Sequence, residues 1–264
     1  MTFSLTWLPE ILLQAGLKVS EELGWRTRGL GGMGTVRGVM LHHTASSPKG
    51  GNAPSLKLVA NGRQAGPGTT ALSGPLAQLV LGRDGAFYVI AAGRANHAGK
   101  GNWRGVTSGN SSFIGIEAEN SGLANEPWPD VQMDAYRRGA AAILKHINAG
   151  SEWCCGHKEY RLPPGFKTDP SFDMTAFRAS VAAILAGTAP IPALIPSHDG
   201  KRPTLRRGGP SGDDVRTLQT KLGLAADGIF GPATEAAVRA FQRKHNVVPD
   251  GIVGPKSWAL LDKV

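Results

Sequence analysis

The sequence contains two cysteines, few aromatic residues and no long apolar run. Cys154 and Cys155 are adjacent, and neighbouring cysteines are poorly placed for an unstrained disulfide, which excludes a disulfide-stabilised scaffold. No stretch approaches the roughly 20 consecutive apolar residues of a membrane helix, so we expect no integral membrane segment. Acidic residues are scarce, since 20 Asp and Glu stand against 29 Lys and Arg. The net charge of +9 favours anionic partners but does not choose among nucleic acid, lipid and cell-wall polymer.

The remaining composition is that of a globular protein. Hydrophobic residues make up 41% of the 264 positions and charged residues 19%, which allows a buried core and excludes disorder. At the amino terminus, Pro9, Glu10 and Gln14 interrupt the apolar residues, and no basic start precedes them. We therefore expect no classical signal peptide.

A proline-rich segment divides the chain. Residues 187–203 contain four prolines, which neither a compact helix nor a central strand tolerates. The sequence therefore predicts a larger domain at residues 1–186, a linker at 187–203 and a small domain at 204–264.

The small domain contains an internal repeat. Asp227-Gly-Ile-Phe-Gly-Pro recurs 23 residues later as Asp250-Gly-Ile-Val-Gly-Pro. Each Asp-Gly pair is typical of a tight turn, and Pro232 and Pro255 suit the first position of a helix, where an N–H group would lack a partner. Apolar stripes before and after the turns predict a small all-α domain of three helices. The stripes consist of Val215, Leu218 and Leu222, of Val238 and Phe241, and of Trp258 and Leu261.

The larger domain mixes strand and helix patterns. Strand-like segments cover residues 36–41, 79–81, 87–90 and 113–119, and helical periodicity covers residues 131–147 and 174–185. The simplest architecture that accommodates these segments is α/β, with a mixed central sheet covered by helices.

Two histidines and an aspartate stand in contexts that suggest a metal site. His42 follows the segment 36–41, where its side chain can project from the rim of a sheet into a cleft. His157 lies in Cys155-Gly-His-Lys-Glu, and Asp169 follows after a proline-rich loop. Two imidazoles and one carboxylate are a ligand set of catalytic zinc sites, in which water fills the fourth position.

Five blocks of sequence carry a resemblance to a known family. They are Leu41-His-His-Thr-Ala, Arg94-Ala-Asn-His-Ala-Gly, Ile114-Gly-Ile-Glu, Gly156-His-Lys-Glu and Lys167-Thr-Asp-Pro-Ser-Phe-Asp. From about Trp25 to Phe177, the chain resembles the zinc-dependent N-acetylmuramoyl-L-alanine amidases of the amidase-2 type, which include phage endolysins and peptidoglycan-recognition proteins. The small domain is similar to the type-1 peptidoglycan-binding domain. Both resemblances imply peptidoglycan as the partner and an amidase-2-like fold for the larger domain.

The resemblance also implies site residues. One zinc ion per chain would be held by His42, His157 and Asp169. Glu117 would carry the proton from water to the leaving amine, and Lys167 would stabilise the oxyanion. The candidates for binding substrate are His97 and Asn96.

Alternatives remain open at some of these positions. Alternation along a strand sends His42 and His43 to opposite faces, so at most one of them enters a given cleft. Glu117 and Glu119 share a face, so either could be the catalytic carboxylate, although the family block favours Glu117. His97 could brace a loop instead of binding substrate.

We therefore predict a peptidoglycan hydrolase that cuts the amide bond between N-acetylmuramic acid and L-alanine. The expected absence of a signal peptide, the compact size and the single wall-binding domain favour a phage or prophage endolysin, made in the host cytoplasm and released to the wall in a holin-dependent way. A bacterial amidase exported by another route is the alternative. We expect a monomer, because a tethered enzyme of this kind needs no symmetric partner. The basic residues near the linker lack any nucleic-acid-binding motif beside them, so we expect no nucleic-acid partner.

Two alternative functions remain beside this prediction. One is a non-catalytic peptidoglycan-recognition protein that has lost the metal. The other is a zinc peptidase that acts on the stem peptide, but the larger domain lacks the Glu-x-x-His half of that ligand pattern.

Overall fold

The computed structural model describes residues 3–66, 70–188, 202–209, 211–245, 249 and 251–263. The chain divides into two units, Met1–Ala189 and Pro190–Val264. Most of the predicted linker and Asp250 of the second turn lie outside the described residues. The domain limits proposed from the sequence therefore stay predictions.

A mixed sheet of six strands forms the centre of the first unit. The strands of this unit are β1 (Lys18–Glu21), β2 (Gly38–His43), β3 (Gly62–Arg63), β4 (Leu72–Ser73), β5 (Leu79–Leu81), β6 (Ala86–Val89), β7 (Phe113–Ala118) and β8 (Cys154–Gly156). The order in the central sheet is β1-β6-β5-β7-β2-β8, and its neighbours pair in parallel, except for β5 and β6, which are antiparallel. Strands β3 and β4 form a separate antiparallel pair.

Helices cover this sheet. The helices of the first unit are α1 (Leu8–Gln14), α2 (Leu56–Asn61), α3 (Gly109–Ser112), α4 (Asp130–His146), α5 (His157–Tyr160) and α6 (Met174–Leu185). The longest of them, α4, packs against α1 and α6. This arrangement confirms the α/β architecture predicted from the sequence.

Strands β2 and β7 are apolar along most of their length because both of their faces are buried. Val39 and Ile114 join the core beneath α1, α4 and α6, whereas Met40 and Phe113 join a smaller cluster around Tyr160 on the opposite face. Only the ends of these strands carry ionisable side chains, and those ends lie at one edge of the sheet.

The strand predicted at residues 36–41 runs instead from Gly38 to His43. Its pairing with β7 begins at Gly38 opposite Phe113, and Arg37 already bonds outside the strand, to the carbonyl of Ser112 (2.7 Å). His42 is therefore a strand residue.

The second unit contains the three predicted helices, which confirms the small helical domain. They are α7 (Asp213–Lys221), α8 (Pro232–Lys244) and α9 (Pro255–Leu261). Helices α8 and α9 begin at the two prolines of the repeat, as their missing N–H groups allow. The buried core residues of this unit are Leu205, Val215, Leu218, Phe230, Val238, Val253, Trp258 and Leu261.

Two buried glutamines explain the 23-residue repeat. The Gln219 side chain accepts a hydrogen bond from Gly228 N (2.9 Å) and donates one to the carbonyl of the next residue (3.0 Å). Gln242 makes the same pair of bonds around Gly251, both at 2.9 Å. Each repeat is thus one helix whose glutamine holds the turn that follows it.

None of the helices within the described part of the chain is long and apolar enough to span a membrane.

Candidate active site

Strand register brings three of the predicted site residues to one edge of the sheet. His42 of β2 lies opposite Glu117 of β7 in a parallel pair, so their side chains emerge side by side. Leu41 pairs with Gly156, the last residue of β8, and His157 follows directly. Ligand sites of open α/β sheets commonly form at the carboxyl ends of parallel strands, where these residues meet.

A loop completes the cluster with Asp169. The backbone N–H of Lys158 donates to the carbonyl of Asp169 (2.7 Å), which holds this loop against the start of α5. All three predicted metal ligands are buried, since His42 is 1% exposed, His157 5% and Asp169 9%.

The three side chains form a nearly equilateral triangle of ligand atoms. His42 Nδ1 lies 3.1 Å from His157 Nδ1 and 3.1 Å from Asp169 Oδ2, and the third side measures 3.0 Å. Ligand atoms of a tetrahedral zinc ion lie about 3.3 Å apart, given metal–ligand bonds of about 2.0–2.1 Å. The triangle is close to that size, so the donor set and its spacing fit a zinc-sized cation.

The orientation of the His157 ring supports this interpretation. Its Nε2 atom lies 3.1 Å from the carbonyl oxygen of Ala98, which can only accept, so Nε2 carries a proton. The Nδ1 atom of a neutral ring then presents a lone pair to a carboxylate oxygen only 3.0 Å away. At this distance the two atoms attract each other only with a positive charge between them, which either a proton or a metal ion supplies.

Electrostatics keep the ligands in their metal-binding forms near neutral pH. Burial, with the nearby His157, lowers the pKa of His42 to about 4, so its ring is neutral. Burial works to raise the pKa of Asp169, but its contacts with His157 and His42 outweigh burial and hold that pKa well below the usual range.

Glu117 lies beside this cluster with a free oxygen. Its Oε1 atom is 4.0 Å from His42 Nδ1, and its buried Oε2 atom finds no hydrogen-bond partner among the described residues. Burial and, next, the charge of Asp169 raise the pKa of Glu117 to about 8, while the charge of Lys167 works in the opposite direction. A carboxyl group in this state can hold a proton at neutral pH and release it when a cation is close.

Lys167 stands two residues before Asp169 and is exposed. Its ammonium charge lies close enough to lower the pKa values of Glu117 and His42. The structure therefore brings Lys167 into the electrostatic neighbourhood of the cluster, on its solvent side.

The two candidates for binding substrate lie elsewhere. His97 is 7% exposed and sits behind His42, with 3.2 Å between His97 Nδ1 and His42 Nε2. Asn96 donates from Nδ2 to the carbonyl of Ser73 (3.1 Å). A substrate-binding role for either residue stays a prediction.

The structure separates Glu117 from Glu119. Glu119 is fully buried and accepts hydrogen bonds from Thr44 Oγ1 (2.8 Å), Ser55 N (2.7 Å) and Ser55 Oγ (3.1 Å). Its carboxylate thus ties down the loop that follows β2, whereas the carboxylate of Glu117 faces the cluster.

His43 packs away from the ligand triangle. Its ring lies so close to Gly122 that a Cβ atom there would be 2.2 Å from His43 Cε1, and its centroid is 6.3 Å from that of Trp128. The two neighbouring histidines thus follow the alternation expected of a strand.

Sequence reasoning missed the positioning role of Tyr136. The sequence indicated only its place on the apolar face of α4, yet its hydroxyl lies 3.0 Å from both N and O of His42 and 2.9 Å from Ile116 O. A buried tyrosine usually finds a polar partner, which is the signal that its position on a core-facing stripe offered.

Comparison with known families identifies the first unit. A family model described as N-acetylmuramoyl-L-alanine amidase matches residues 32–172, just over half of the chain. The chain belongs to this amidase family. A second model, described as putative peptidoglycan binding domain, matches residues 211–261 of the second unit. The predicted enzyme class and the predicted polymer are both confirmed.

Several solved structures are similar to parts or most of this amidase. The selenomethionine derivative of AmpD is 24% identical with a TM-score of 0.45, covering 62% of this chain and 94% of that chain. AmiD from E. coli, in complex with anhydro-N-acetylmuramic acid-L-Ala-D-gamma-Glu-L-Lys, is 19% identical with a TM-score of 0.44, covering 94% and 96%. A fused zinc-dependent amidase/peptidase with a peptidoglycan-binding domain from Clostridium acetobutylicum is 43% identical with a TM-score of 0.22, covering 23% and 29%. No curated protein matches the chain.

Proposed function

We propose that this amidase is zinc-dependent and hydrolyses the amide bond between the lactyl group of N-acetylmuramic acid and L-alanine. The observation that carries the proposal is the triangle of His42 Nδ1, His157 Nδ1 and Asp169 Oδ2, with sides of 3.0–3.1 Å. Beside it lies Glu117 Oε2, for which the described residues offer no hydrogen-bond partner. Neutral imidazoles and a carboxylate suit one zinc ion with an open fourth position.

When bound, zinc supplies Lewis acidity, which makes water a nucleophile near neutral pH. Glu117 receives the proton that the attacking water loses and returns it to the nitrogen of L-alanine as the C–N bond breaks and the new C–O bond forms. Lys167 favours the negative charge that develops on the carbonyl oxygen. Water supplies both the new oxygen and the proton, so no further reactant is needed.

We further propose that the second unit keeps the enzyme on the wall. A tethered catalytic unit meets its weakly bound substrate at a raised effective concentration. In this proposal the catalytic domain covers residues 1–186, the linker 187–203 and the wall-binding domain 204–264. The protein acts as a monomeric endolysin that lyses the host cell once a holin lets it reach the wall.

Clearing of purified peptidoglycan, followed by mass spectrometry of the fragments, tests the proposed reaction. We expect wild-type protein to release whole stem peptides with a free L-alanine amino group, a chelator to stop the release, and zinc to restore it. Cleavage within the stem peptide would instead identify a zinc peptidase. Wall binding without cleavage, in protein that retains no zinc, would identify a recognition protein.

The lytic role needs a test in cells. Expression in the bacterial cytoplasm is expected to leave cells intact until the membrane is permeabilised, and to lyse them at once afterwards. Lysis without permeabilisation would contradict holin dependence, and intact cells after permeabilisation would contradict the role as an endolysin.

A further inference from the structure

His97 occupies a buried position between a proposed metal ligand and a strand carbonyl. Its Nδ1 atom lies 3.2 Å from His42 Nε2, and its Nε2 atom lies 3.2 Å from the carbonyl oxygen of Phe113. The two histidine rings meet edge to face, with centroids 5.3 Å apart. The ring of His97 therefore connects His42 with the backbone of β7.

The surrounding chain is shaped to hold this ring. Asn110 Oδ1 accepts hydrogen bonds from the backbone N–H groups of His97 (2.9 Å) and Ala98 (2.7 Å). On β7, a Cβ atom at Gly115 would lie 2.8 Å from His97 Cγ, so only glycine leaves room for the ring at its present depth. The backbone and the opposing strand thus fix both the height and the direction of the imidazole.

The two contacts of His97 determine where the protons lie. The Phe113 carbonyl can only accept, so Nε2 of the neutral His97 ring is the donor and Nδ1 keeps its lone pair. That lone pair can only accept from His42 Nε2–H. The Nδ1 atom of His42 is then unprotonated and faces His157 and Asp169, as a metal ligand requires.

We infer that His97 is a positioning residue for His42. Its ring donates to the Phe113 carbonyl and therefore accepts from His42 Nε2–H, which holds His42 in the tautomer that binds metal. This inference rests on the proposed function in one respect, namely that the cation in the triangle is zinc. Hydrogen bonds behind metal-binding histidines fix ring orientation and tautomer, and their loss lowers metal affinity.

His157 supplies an internal control within the same cluster. Its Nε2 atom donates directly to the carbonyl of Ala98 (3.1 Å), without an intervening side chain. The two imidazole ligands are thus fixed by different means, and a change at position 97 removes the support of His42 alone.

Zinc affinity of the full-length chain, measured by competition with a chromophoric chelator, tests the inference without any activity assay. We expect His97→Leu, which fills the space but has no polar atom, to bind zinc about 10- to 100-fold more weakly. His97→Gln is the matched control, because its amide can donate to Phe113 and accept from His42, and we expect it to stay within a few-fold of wild type. Equal affinity in the leucine variant and wild type, or an equal loss in the leucine and glutamine variants, overturns the inference.

Nitrogen-15 NMR of the histidine rings gives a second readout, whose wild-type part depends neither on zinc nor on the folding of a variant. In the wild-type protein without metal, we expect His42, His97 and His157 each to carry a proton on Nε2. In His97→Leu, the His42 signal is expected to shift toward a mixture of tautomers while that of His157 stays unchanged. A proton on Nδ1 of His97, or the absence of one on Nε2 of His42, in wild type contradicts the inference. Wild-type protein that shows these tautomers but binds no zinc would reject the proposed metal and leave the positioning role standing.

Discussion

Glu117 differs from the other buried ionisable side chains of the site because one of its oxygens has no partner among the described residues. Its pKa, raised to about 8 chiefly by burial, suits a group that must accept a proton and give it back. A bound divalent cation favours the ionised form, so the metal site and the acid–base group are coupled.

The first prediction concerns the loss of this carboxylate. Glu117→Gln is expected to lower kcat on peptidoglycan by on the order of 10²- to 10⁴-fold, because proton transfer is removed while the shape is kept. Zinc affinity, measured by chelator competition, should change little, since Glu117 is not one of the three proposed ligands. A large loss of zinc together with activity would move Glu117 from proton carrier to ligand.

The second prediction is a pH-dependent gain of stability in the same variant. Because the folded-state pKa of Glu117 is raised from 4.5 to about 8, the native state binds more protons than the unfolded state between these pH values. The free energy of unfolding of metal-free wild type therefore falls as pH rises through this window, by at most about 1.4 kcal/mol per pH unit. Solvent screens part of this cost, since 18% of the side chain is exposed.

Glu117→Gln lacks this titration. Denaturant unfolding without metal should show the variant close to wild type near pH 4.5 and increasingly more stable than wild type toward pH 8. A constant difference across this range would contradict the raised pKa.

A third prediction separates Lys167 from ordinary surface charge. Lys167→Met is expected to lower kcat by about 10²- to 10³-fold, because the cation facing the developing oxyanion is lost. Lys100→Met is the matched control, since Lys100 is also an exposed loop lysine. Steady-state kinetics on a soluble muropeptide should leave the control near wild type, and equal effects of both changes would assign Lys167 to general charge attraction.

At the scale of elements, the loop after β2 is held by side chains from outside it, among them those of Glu119 and Arg83. Glu119 bonds to Thr44 and Ser55, and Arg83 Nη1 donates to the carbonyl of Gly51 (2.7 Å). This loop starts directly after His43, so it borders the edge of the sheet where the site lies. Its order depends on polar anchoring, because most of its residues from 45 to 54 are exposed or half-buried.

The fourth prediction contrasts two carboxylates, that of Glu117 in β7 and that of Glu119 directly after this strand. Glu119→Gln should lower the free energy of unfolding by about 2 kcal/mol at pH 7, because the new amide NH₂ group meets donors in place of the carboxylate. Glu117→Gln should have the opposite sign under the same conditions. Chemical denaturation of both metal-free variants measures the difference, and destabilisation by both changes would show that the Glu117 carboxylate is also structural.

At the scale of the whole molecule, two units with separate cores divide cleavage from wall attachment in the proposed function. Buried glutamines hold the turns of the second unit, and Gln219 also donates to Asp227 Oδ1 (2.7 Å) and lies 3.1 Å from Thr234 Oγ1. Loss of the Gln219 side chain removes these hydrogen bonds and takes the acceptor away from the buried N–H of Gly228.

The fifth prediction uses this separation. Gln219→Ala should destabilise the second unit by about 2–3 kcal/mol, because the buried N–H of Gly228 loses its acceptor. Binding to insoluble peptidoglycan should weaken as a result. Cleavage of a soluble muropeptide should be unchanged. Thr217→Ala, at an exposed position of the same helix, is the control. Equal losses on soluble and insoluble substrate would show that the second unit also supports catalysis.

The sequence by itself determined the class of fold, the repeat and the chemistry expected of the first unit's site. Apolar periodicity reports burial of one helix or strand face, and it located α4, α6 and β5 within a residue at either end. Short elements such as α1 and β1 were not predicted, because their apolar patterns span too few residues to be distinguished from a loop. The family blocks singled out His42, His157, Asp169, Glu117 and Lys167 because those residue types carry the chemistry.

Tertiary structure alone decided how these residues are held. Sequence patterns could not distinguish Glu117 from Glu119 by their partners, because Thr44 and Ser55 approach only through the folded loop. Nor could they reveal Tyr136 behind His42, because a hydrogen bond between residues 94 positions apart leaves no periodic signal. Residue types limit which chemistry is possible, whereas the direction of each lone pair and proton depends on neighbours that only the packed sheet brings together.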